Sequence, residues 1–254
     1  MNSLRFPNEN SAVPTIEDVN KHGFAILPDI LDRAEIVELI RTIGQLESKD
    51  GVRTRGGVYA VRNLLQVCPE ILELATSAKL LTIVREHIGI EAFAVRGMLF
   101  DKTGDANWLV PWHQDLTICV AARLPAPCYG PWTVKAGVCH VQPPASILEG
   151  MLSIRIHLDD CGENNGPLRV LPGTHRLGRL TADRISELQH DVREQLCLVK
   201  QGGALLMRPL LLHASSAATT PEHRRVVHID YSSSQLDYGL RWLPSSHHLP
   251  VQAP

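Results

Sequence analysis

A histidine and an aspartate two positions apart, His113 and Asp115, have the spacing that most directly indicates metal chemistry in this chain. On a β-strand, residues i and i+2 point to the same face, so this imidazole and carboxylate could serve one ion. Two histidines and one carboxylate make the facial triad of non-haem Fe(II) enzymes, which leaves other coordination positions open. The pattern alone also recurs by chance, and a hydrogen-bonded pair is the alternative interpretation.

The second histidine of such a triad must come from a distant strand, and the chain offers several. His213 follows the apolar run Ala204–Met207, which favours an interior position, although a core histidine with satisfied hydrogen bonds would look the same. His223 lies in a polar turn, and His228 lies in a strand and could face either way. The remaining candidates are His140, His157, His247 and His248. The residue pattern leaves this choice open.

Arg224 is suited to bind the far carboxylate of a metal-bound 2-oxo diacid, because an arginine is always charged and binds carboxylates with two hydrogen bonds. It begins a predicted strand that runs to Tyr231. Alternation puts Arg224 and His228 on one face of this strand and Arg225 on the other, without showing which face is internal. A surface cation is the alternative role for Arg224.

The secondary structure that must position these residues is predicted to change from mostly helical to mostly β after about residue 90. Residues 1–90 are predicted to be mostly helical, with a helix start at 15–18 and a capping box formed by Asp32 and Glu35. A further helical stretch over 70–87 is interrupted at Ser77, a candidate N-cap. The apolar run 23–27 between these helices is expected to be a strand.

Beyond residue 90, short apolar runs separated by Gly, Pro and Asn predict strands at 92–101, 151–158, 168–171, 195–199, 204–207 and 225–231. Many short strands with turn signals are typical of an antiparallel sandwich or jelly roll. No repeat or linker divides the chain, so we expect one domain over 1–254, with helical support from 1–90 and a jelly-roll core from 91–235. The proline-rich segment 116–150 fits no regular structure and is predicted to be a lid-like loop, with a surface excursion as the alternative.

Composition excludes some classes of partner. The 254 residues carry a formal net charge of −2, so there is no basic excess to bind nucleic acid or an anionic membrane. We find neither a secretory signal nor an apolar run of about 18 residues that would span a membrane. The six cysteines are scattered singly, which favours reduced thiols in the cytoplasm over a disulfide framework. We therefore expect a cytoplasmic protein with no nucleic-acid or membrane partner.

Taken together, the motifs resemble the phytanoyl-CoA dioxygenase-like family of Fe(II)- and 2-oxoglutarate-dependent oxygenases. The resemblance covers about residues 15–235 and rests on the segments 112–115, 164–175 and 213–215 and on Arg224. It implies a mainly β fold with flanking helices, a double-stranded β-helix (a cupin-like jelly roll) with an N-terminal helical buttress. It also implies that His113, Asp115 and His213 bind Fe(II).

The same resemblance implies the residues that bind the cosubstrate. Arg224 would anchor the distal carboxylate of 2-oxoglutarate, with Ser215 close by, and Met98 would line the wall of the cosubstrate site. Gln114, the middle residue of the HxD motif, would also bind the cosubstrate. Arg155 stands where better-known members carry a tryptophan. For Arg155 we expect a charge contact to the cosubstrate or substrate, with a salt bridge on the opposite face as the alternative.

The activity implied is O₂-dependent hydroxylation of a small molecule, with 2-oxoglutarate converted to succinate and CO₂. Lys135, Trp132 and Arg96 are candidate substrate-pocket residues, and the segment 164–175, with its glycines and His175, is expected to act structurally. Asp115 argues against a halogenase, in which a small residue replaces the carboxylate. The alternatives are a cupin-type metal enzyme that does not use 2-oxoglutarate and a non-catalytic binding protein on the same scaffold.

Overall fold

The computed structural model describes residues 16–46, 52–54, 58–220 and 222–243. Its helices are α1 (Ile16–His22), α2 (Arg33–Gly44), α3 (Leu64–Val67), α4 (Pro69–Thr76), α5 (Ala78–Ile88), α6 (Ala145–Glu149) and α7 (Ala182–Asp191). Its strands are β1 (Phe24–Leu27), β2 (Val52–Thr54), β3 (Val58–Val61), β4 (Phe93–Lys102), β5 (Val110–His113), β6 (Ile118–Val120), β7 (Trp132–Lys135), β8 (Val138–Val141), β9 (Leu152–His157), β10 (Leu168–Val170), β11 (Gln195–Cys197), β12 (Ala204–Met207), β13 (His213–Ser215) and β14 (Arg224–Ser232). No described helix is long and apolar enough to cross a bilayer.

Two antiparallel sheets pack together as a jelly roll. The major sheet has the strand order β1-β12-β9-β14-β4-β3-β2, and the minor sheet has the order β11-β10-β13-β5. Apolar side chains of β1 and β12, such as Phe24 and Leu205, join Leu168 and Val170 of β10 in one buried cluster between the sheets. The predicted fold class is therefore confirmed.

The two faces of the major sheet have different chemistry, because side chains alternate along each strand. The outer face is apolar and packs on the N-terminal helices; Ile154, Ile156, Val227 and Ile229 lie there in one cluster with residues of α2, α4 and α5. Each such side chain that is fully buried stabilises the folded state by roughly 1.5–3 kcal/mol relative to an exposed one. The inner face carries polar residues, so the helical layer buttresses the sheet that lines the interior.

Most of the helical predictions are confirmed. Asp32 and Glu35 form a reciprocal capping box at α2, with the Glu35 N–H donating to Asp32 at 2.9 Å and the Asp32 N–H donating to Glu35 at 2.8 Å. Ser77 separates α4 from α5 and accepts the Leu80 N–H at 3.3 Å. Of the predicted helix start at 15–18, residue Thr15 lies outside the described residues. Elements outside the predicted set include β2 and β3, which extend the sheet beside β4, and α7.

The segment 116–150 is not irregular, so that part of the prediction is wrong. It contains β6, β7 and β8, which form a three-stranded antiparallel sheet in the order β6-β8-β7, and the short helix α6. Ile118, Val120 and Val141 of this sheet are buried against Val95 of β4 and Trp242 near the end of the described chain. Strands of three or four residues flanked by prolines show too little periodicity to be recognised in the sequence.

Candidate metal centre

The side chains of His113 and His213 face each other across paired strands. The two residues are direct partners in the antiparallel pairing of β5 and β13, and their ring centroids are 4.2 Å apart. Asp115 follows β5, and its N–H donates to the Pro209 carbonyl at 2.9 Å, which ties it to the chain that enters β13. The sheet pairing thus brings together residues that are far apart in the sequence.

The three side chains present their donor atoms to one point. Nε2 of His113 lies 3.8 Å from one carboxylate oxygen of Asp115, and Nε2 of His213 lies 3.7 Å from the other. All three donor atoms lie within 4.8 Å of one another, and no other group of potential metal ligands of this kind occurs in the described part of the chain. The arrangement predicted for the HxD motif and a distant histidine is present.

Backbone hydrogen bonds set the orientation and the tautomer of both imidazoles. Nδ1 of His113 lies 2.8 Å from the Pro111 carbonyl, and Nδ1 of His213 lies 2.8 Å from the Leu211 carbonyl. A carbonyl can only accept, so each Nδ1 carries a proton, and Nε2 is the atom with the free lone pair whenever the ring is neutral. Such a bond to the second ring nitrogen is what orients a metal-binding histidine.

The protonation states also suit a metal ion. Burial lowers the pKa of His213 to about 4, although the Asp115 carboxylate acts in the opposite direction. Burial alone would raise the pKa of Asp115, but the neighbouring His213, His228 and His113 hold it below its ordinary value. At neutral pH both groups are deprotonated, as metal ligands must be. Two imidazoles and one carboxylate are the donor set that suits Fe(II) in a site with open positions.

The other histidines weighed as ligands have different roles. His223 binds the Asp101 carboxylate at 2.7 Å, and Nε2 of His140 lies 3.3 Å from the thiol of Cys119. His157 and His228 are buried on the inner face of β9 and β14, outside the group of three donors. His247 and His248 lie outside the described residues.

Polar residues of three adjacent strands line the inner face of the major sheet. Residues that pair with one another across β9, β14 and β4 form four rows on this face. The rows are Arg224 with Lys102; His157 with Val226 and Phe100; Arg155 with His228 and Met98; and Ser153 with Asp230 and Arg96. Every member except Phe100 and Arg96 is buried. The positive charge of Arg155 acts on the pKa of His213, so these rows and the metal-binding group share one interior.

Arg224, and not Arg225, faces this interior. Arg225 points to the other side, where it forms an ion pair with Asp159 at 2.6 Å. The buried guanidinium of Arg224 donates to the Gly166 carbonyl, while its Nε is buried without a hydrogen-bond partner. No Asp or Glu side chain among the described residues forms an ion pair with Arg224, so its positive charge is available to an anion.

Comparison with known proteins identifies the family of this chain. Residues 19–226 match the family model described as phytanoyl-CoA dioxygenase. This chain belongs to the phytanoyl-CoA dioxygenase family. The matched range includes the segments 112–115, 164–175 and 213–215 and Arg224, on which the resemblance rests.

Among its relatives are ectoine dioxygenase of Sphingopyxis alaskensis, 24% identical over 166 residues, and L-proline trans-4-hydroxylase of Streptomyces griseoviridis, 24% identical over 246 residues. The first match covers 62% of this chain and 47% of the relative, and the second covers 84% and 83%. The chain thus spans about half the length of the ectoine dioxygenases that it matches. The structure of EctD from S. alaskensis with bound Fe superposes with a TM-score of 0.69 at 20% identity, covering 92% of this chain and 82% of that one.

Arg155 of this family member is held by a buried chain of hydrogen bonds. Its guanidinium lies 2.9 Å from Nδ1 of His228, and Nε2 of His228 lies 2.7 Å from Asp230. A guanidinium only donates, so Nδ1 of His228 accepts and its Nε2–H donates to Asp230. Ser153 donates to the same carboxylate oxygen at 2.6 Å. Arg155 is buried in the inner-face row with His228, and the alternative considered for it, a salt bridge on the opposite face, does not match this position.

Met98 and Ser215 also lie in the interior of the jelly roll, whereas the side chain of Gln114 does not point into it. Met98 is buried beside His228, and Ser215 follows His213 by two positions on β13. Gln114 points away from its neighbours His113 and Asp115; its amide group donates to the carbonyls of Gly178 and Leu210, and its oxygen accepts the Leu180 N–H. Gln114 therefore braces the loop before α7, and the hydrogen-bonding atoms of its side chain are engaged there.

The three candidate substrate residues lie on two different sheets. Arg96 lies on the inner face, 3.9 Å from the Asp230 carboxylate. Trp132 and Lys135 lie on β7, where Trp132 is half-buried under Arg123 and Lys135 is exposed. The charges of Arg96 and Lys135 both act on buried His140, so the small sheet lies near the Arg96 end of the interior.

Several interior residues were missed in the sequence. Lys102 is fully buried in the same row as Arg224, and His228 and Asp230 form the support of Arg155. Alternation from Met98 would have placed Lys102 on the same face, because the two residues are four positions apart on one strand. A lysine at the end of a strand, next to an aspartate, looks like a surface residue.

The segment 164–175 acts structurally, as expected. Gly166 and Gly173 adopt positive φ values of 60° and 82°, which favour glycine. The ring of His175 binds the Asn20 carbonyl at 3.1 Å and so links the segment to α1.

Proposed function

We propose that this protein is an Fe(II)- and 2-oxoglutarate-dependent dioxygenase that hydroxylates a small molecule. The observation that carries the proposal is the group of three donors, with the two Nε2 atoms of His113 and His213 on either side of the Asp115 carboxylate. Membership of the phytanoyl-CoA dioxygenase family supports it, as do relatives named as a dioxygenase and a hydroxylase. Fe(II) bound there would supply the activation of O₂ that couples conversion of 2-oxoglutarate to succinate and CO₂ with oxidation of a C–H bond.

The chain's own residues would bind and orient the cosubstrate. His113, Asp115 and His213 would hold the ion through two imidazoles and one carboxylate, a donor set that leaves coordination positions open. Arg224 presents a buried, uncompensated guanidinium that suits the distal carboxylate, and the Ser215 hydroxyl lies in the same part of the interior. Met98 would supply the apolar wall against the carbon chain of the cosubstrate.

Arg155 would place a second positive charge near the metal. Burial first, and then the charge of Arg224, lower the pKa of Arg155 to about 10, and the Asp115 carboxylate acts in the opposite direction. Arg155 thus interacts electrostatically with both Arg224, the proposed partner of the distal carboxylate, and Asp115, a proposed metal ligand. We assign it a contact to an anionic group of the cosubstrate or the substrate, oriented by His228.

The substrate would approach from the Arg96 end of the interior. Arg96, Trp132 and Lys135 are the proposed contacts, and the small sheet of 116–150 would form a wall of the pocket. Cations at this end suit a small molecule with an acidic group. We also propose the cytoplasm as the compartment, which the six free cysteines support.

Succinate release tests this function. The purified protein with Fe(II), O₂ and 2-oxoglutarate would be assayed against a panel of small carboxylic acids. We expect at least one acid to stimulate succinate formation and to gain one oxygen atom by mass spectrometry. A substrate that is converted without succinate formation, and equally well by Arg224→Ala, would instead indicate a metal enzyme that does not use 2-oxoglutarate.

A further inference from the structure

Arg96 and Asp230 form an incomplete ion pair at one end of the polar inner face. The two residues are direct partners in the pairing of β4 and β14. Nη1 of Arg96 nevertheless lies 3.9 Å from Oδ2 of Asp230, which is longer than a hydrogen bond. Nε of Arg96 is buried without a hydrogen-bond partner. The cation of this pair therefore keeps donors that its anion does not use.

The two carboxylate oxygens of Asp230 have different surroundings. Oδ1 accepts the Ser153 hydroxyl at 2.6 Å and the Nε2–H of His228 at 2.7 Å. Within the described part of the chain, Oδ2 accepts no hydrogen bond, and its contact is the long one to Arg96. Burial raises the pKa of Asp230, but His228 and then Arg96 lower it to about 2, so the carboxylate is charged. A charged oxygen without a donor is costly in an interior.

Both side chains border open space close to the metal-binding group. Of the Arg96 side chain 14% is accessible, and of the Asp230 side chain 10%, whereas the neighbouring side chain of His228 is enclosed at 1%. The charge of Asp230 acts on the pKa of Asp115, so this space lies near a proposed metal ligand. A small molecule held by the pair would therefore lie beside the metal.

The nearby small sheet does not supply the missing partners. The charges of Arg96 and Asp230 both act on the pKa of Cys119 in β6. Nε2 of His140 lies 3.3 Å from the Cys119 thiol, and its Nδ1 lies 3.0 Å from the Val138 carbonyl, so the thiol donates to a neutral imidazole. Burial raises the pKa of the thiol and lowers that of the imidazole, so both stay uncharged at neutral pH. These two side chains bond to each other and leave the ion pair to a ligand.

We propose that Arg96 and Asp230 bind the two ends of a small zwitterion, so that the substrate is an amino acid or a related carboxylate with a cationic nitrogen. The guanidinium of Arg96 would bind the carboxylate, and Oδ2 of Asp230 would accept from the nitrogen. A simple acid would leave Oδ2 without a donor. The proposal rests on the proposed function and deepens it, because it names the substrate class of the same site.

The first test uses the wild type and sets of three matched compounds. Each set holds an amino acid, the acid that lacks its nitrogen and the amine that lacks its carboxylate, such as leucine, 4-methylpentanoate and 3-methylbutylamine. Succinate release is measured with Fe(II), O₂ and 2-oxoglutarate across the protein amino acids. We expect at least one amino acid to exceed both analogues by at least about 10-fold in kcat/KM, as for loss of one charged hydrogen bond. Simple acids that equal the amino acids would overturn the proposal.

Two variants separate the parts played by Arg96 and Asp230. Arg96→Met should lower kcat/KM for the amino acid by roughly 10- to 100-fold and bring it within about threefold of the amine. Asp230→Asn should instead remove the preference over the simple acid and keep the preference over the amine. Arg184→Met, which removes an exposed arginine of α7, is the control and should change neither ratio.

These ratios distinguish binding from folding, because partial misfolding lowers the activity on all three compounds alike. An equal loss on all three in both variants would mean that the ion pair is only structural, and would overturn the proposal. A wild type that forms a charge-transfer band with Fe(II) and 2-oxoglutarate, but releases succinate with no amino acid, would keep the proposed cosubstrate and refute the zwitterion. A wild type without that band would refute the proposed function itself, and the zwitterion with it.

Discussion

Arg155 and His228 are partners across β9 and β14, and the guanidinium of Arg155 donates to Nδ1 of His228 at 2.9 Å while Asp230 holds the other ring nitrogen. Burial alone would raise the pKa of Asp230, but His228 and Arg96, together with the Ser153 hydrogen bond, lower it to about 2. Asp230 is thus the anion on which the orientation of Arg155 depends.

We expect Asp230→Asn to lower the free energy of unfolding by about 3 kcal/mol, because it leaves a buried cationic network without its anion. Urea unfolding of the metal-free protein measures this. The control Glu194→Gln removes an exposed partner of Arg169 and should cost less than about 1 kcal/mol. Equal effects of the two substitutions would show that the buried chain of hydrogen bonds does not stabilise the fold.

Arg224 and Arg225 provide a matched pair of substitutions on opposite faces of one strand. Arg224→Ala should weaken 2-oxoglutarate binding by at least about 100-fold, since it removes a buried, bidentate donor. Arg225→Ala removes the half-buried ion pair with Asp159 and should change that affinity by less than about threefold. Calorimetric titration of the anaerobic Fe(II) protein measures both. A larger loss in Arg225→Ala would contradict the assignment of the inner face.

The sequence predicts much of this fold and site, for identifiable reasons. The strands 92–101, 151–158 and 204–207 are apolar enough to be recognised, and the structure has them as β4, β9 and β12 within one or two residues. His113 and Asp115 follow from strand geometry. His213 could not be chosen from the residues alone, because the deciding contact with His113 is a pairing of distant strands.

The face on which Arg224 lies could not be predicted either. Alternation fixes which residues share a face, but the inner face of β14 is set by helices that pack on Val227 and Ile229 from the other side. The same limit hid Lys102, whose burial depends on the chain at Ser215 and Ser216 that approaches from the minor sheet.

Gly166 should be intolerant of a side chain. Gly166→Ala would place a Cβ 2.7 Å from the Ser216 carbonyl oxygen and force alanine into a left-handed conformation, so we expect a loss of at least about 2 kcal/mol in the free energy of unfolding. Gly162→Ala, four positions earlier in the same turn region, meets no atom within 4 Å and has φ −83°, so it should change stability by less than about 0.5 kcal/mol. Urea unfolding of both variants compares them, and similar values would refute the packing described at Gly166.

Buried His157 should make the protein sensitive to mild acid. Burial, followed by the charges of Arg155 and Arg224, holds the pKa of His157 well below its ordinary value. Below about pH 6.5 the unfolded chain takes up a proton on this residue and the folded protein does not, so stability falls as the pH falls, by about 1.4 kcal/mol per pH unit. His157→Gln should reduce the slope of unfolding free energy against pH by about that amount between about pH 6 and 5. An unchanged slope, measured without metal, would contradict a neutral His157.

The most direct test of the central claim is the absorption spectrum of the anaerobic protein with Fe(II) and 2-oxoglutarate. If His113, Asp115 and His213 hold the ion and leave adjacent positions open, 2-oxoglutarate will chelate it, and a visible metal-to-ligand charge-transfer band will appear in the wild type. Asp115→Ala and His213→Ala should lose the band, while the surface variant Lys79→Met should keep it. A wild type without the band, or a band of full intensity in Asp115→Ala, would contradict the account.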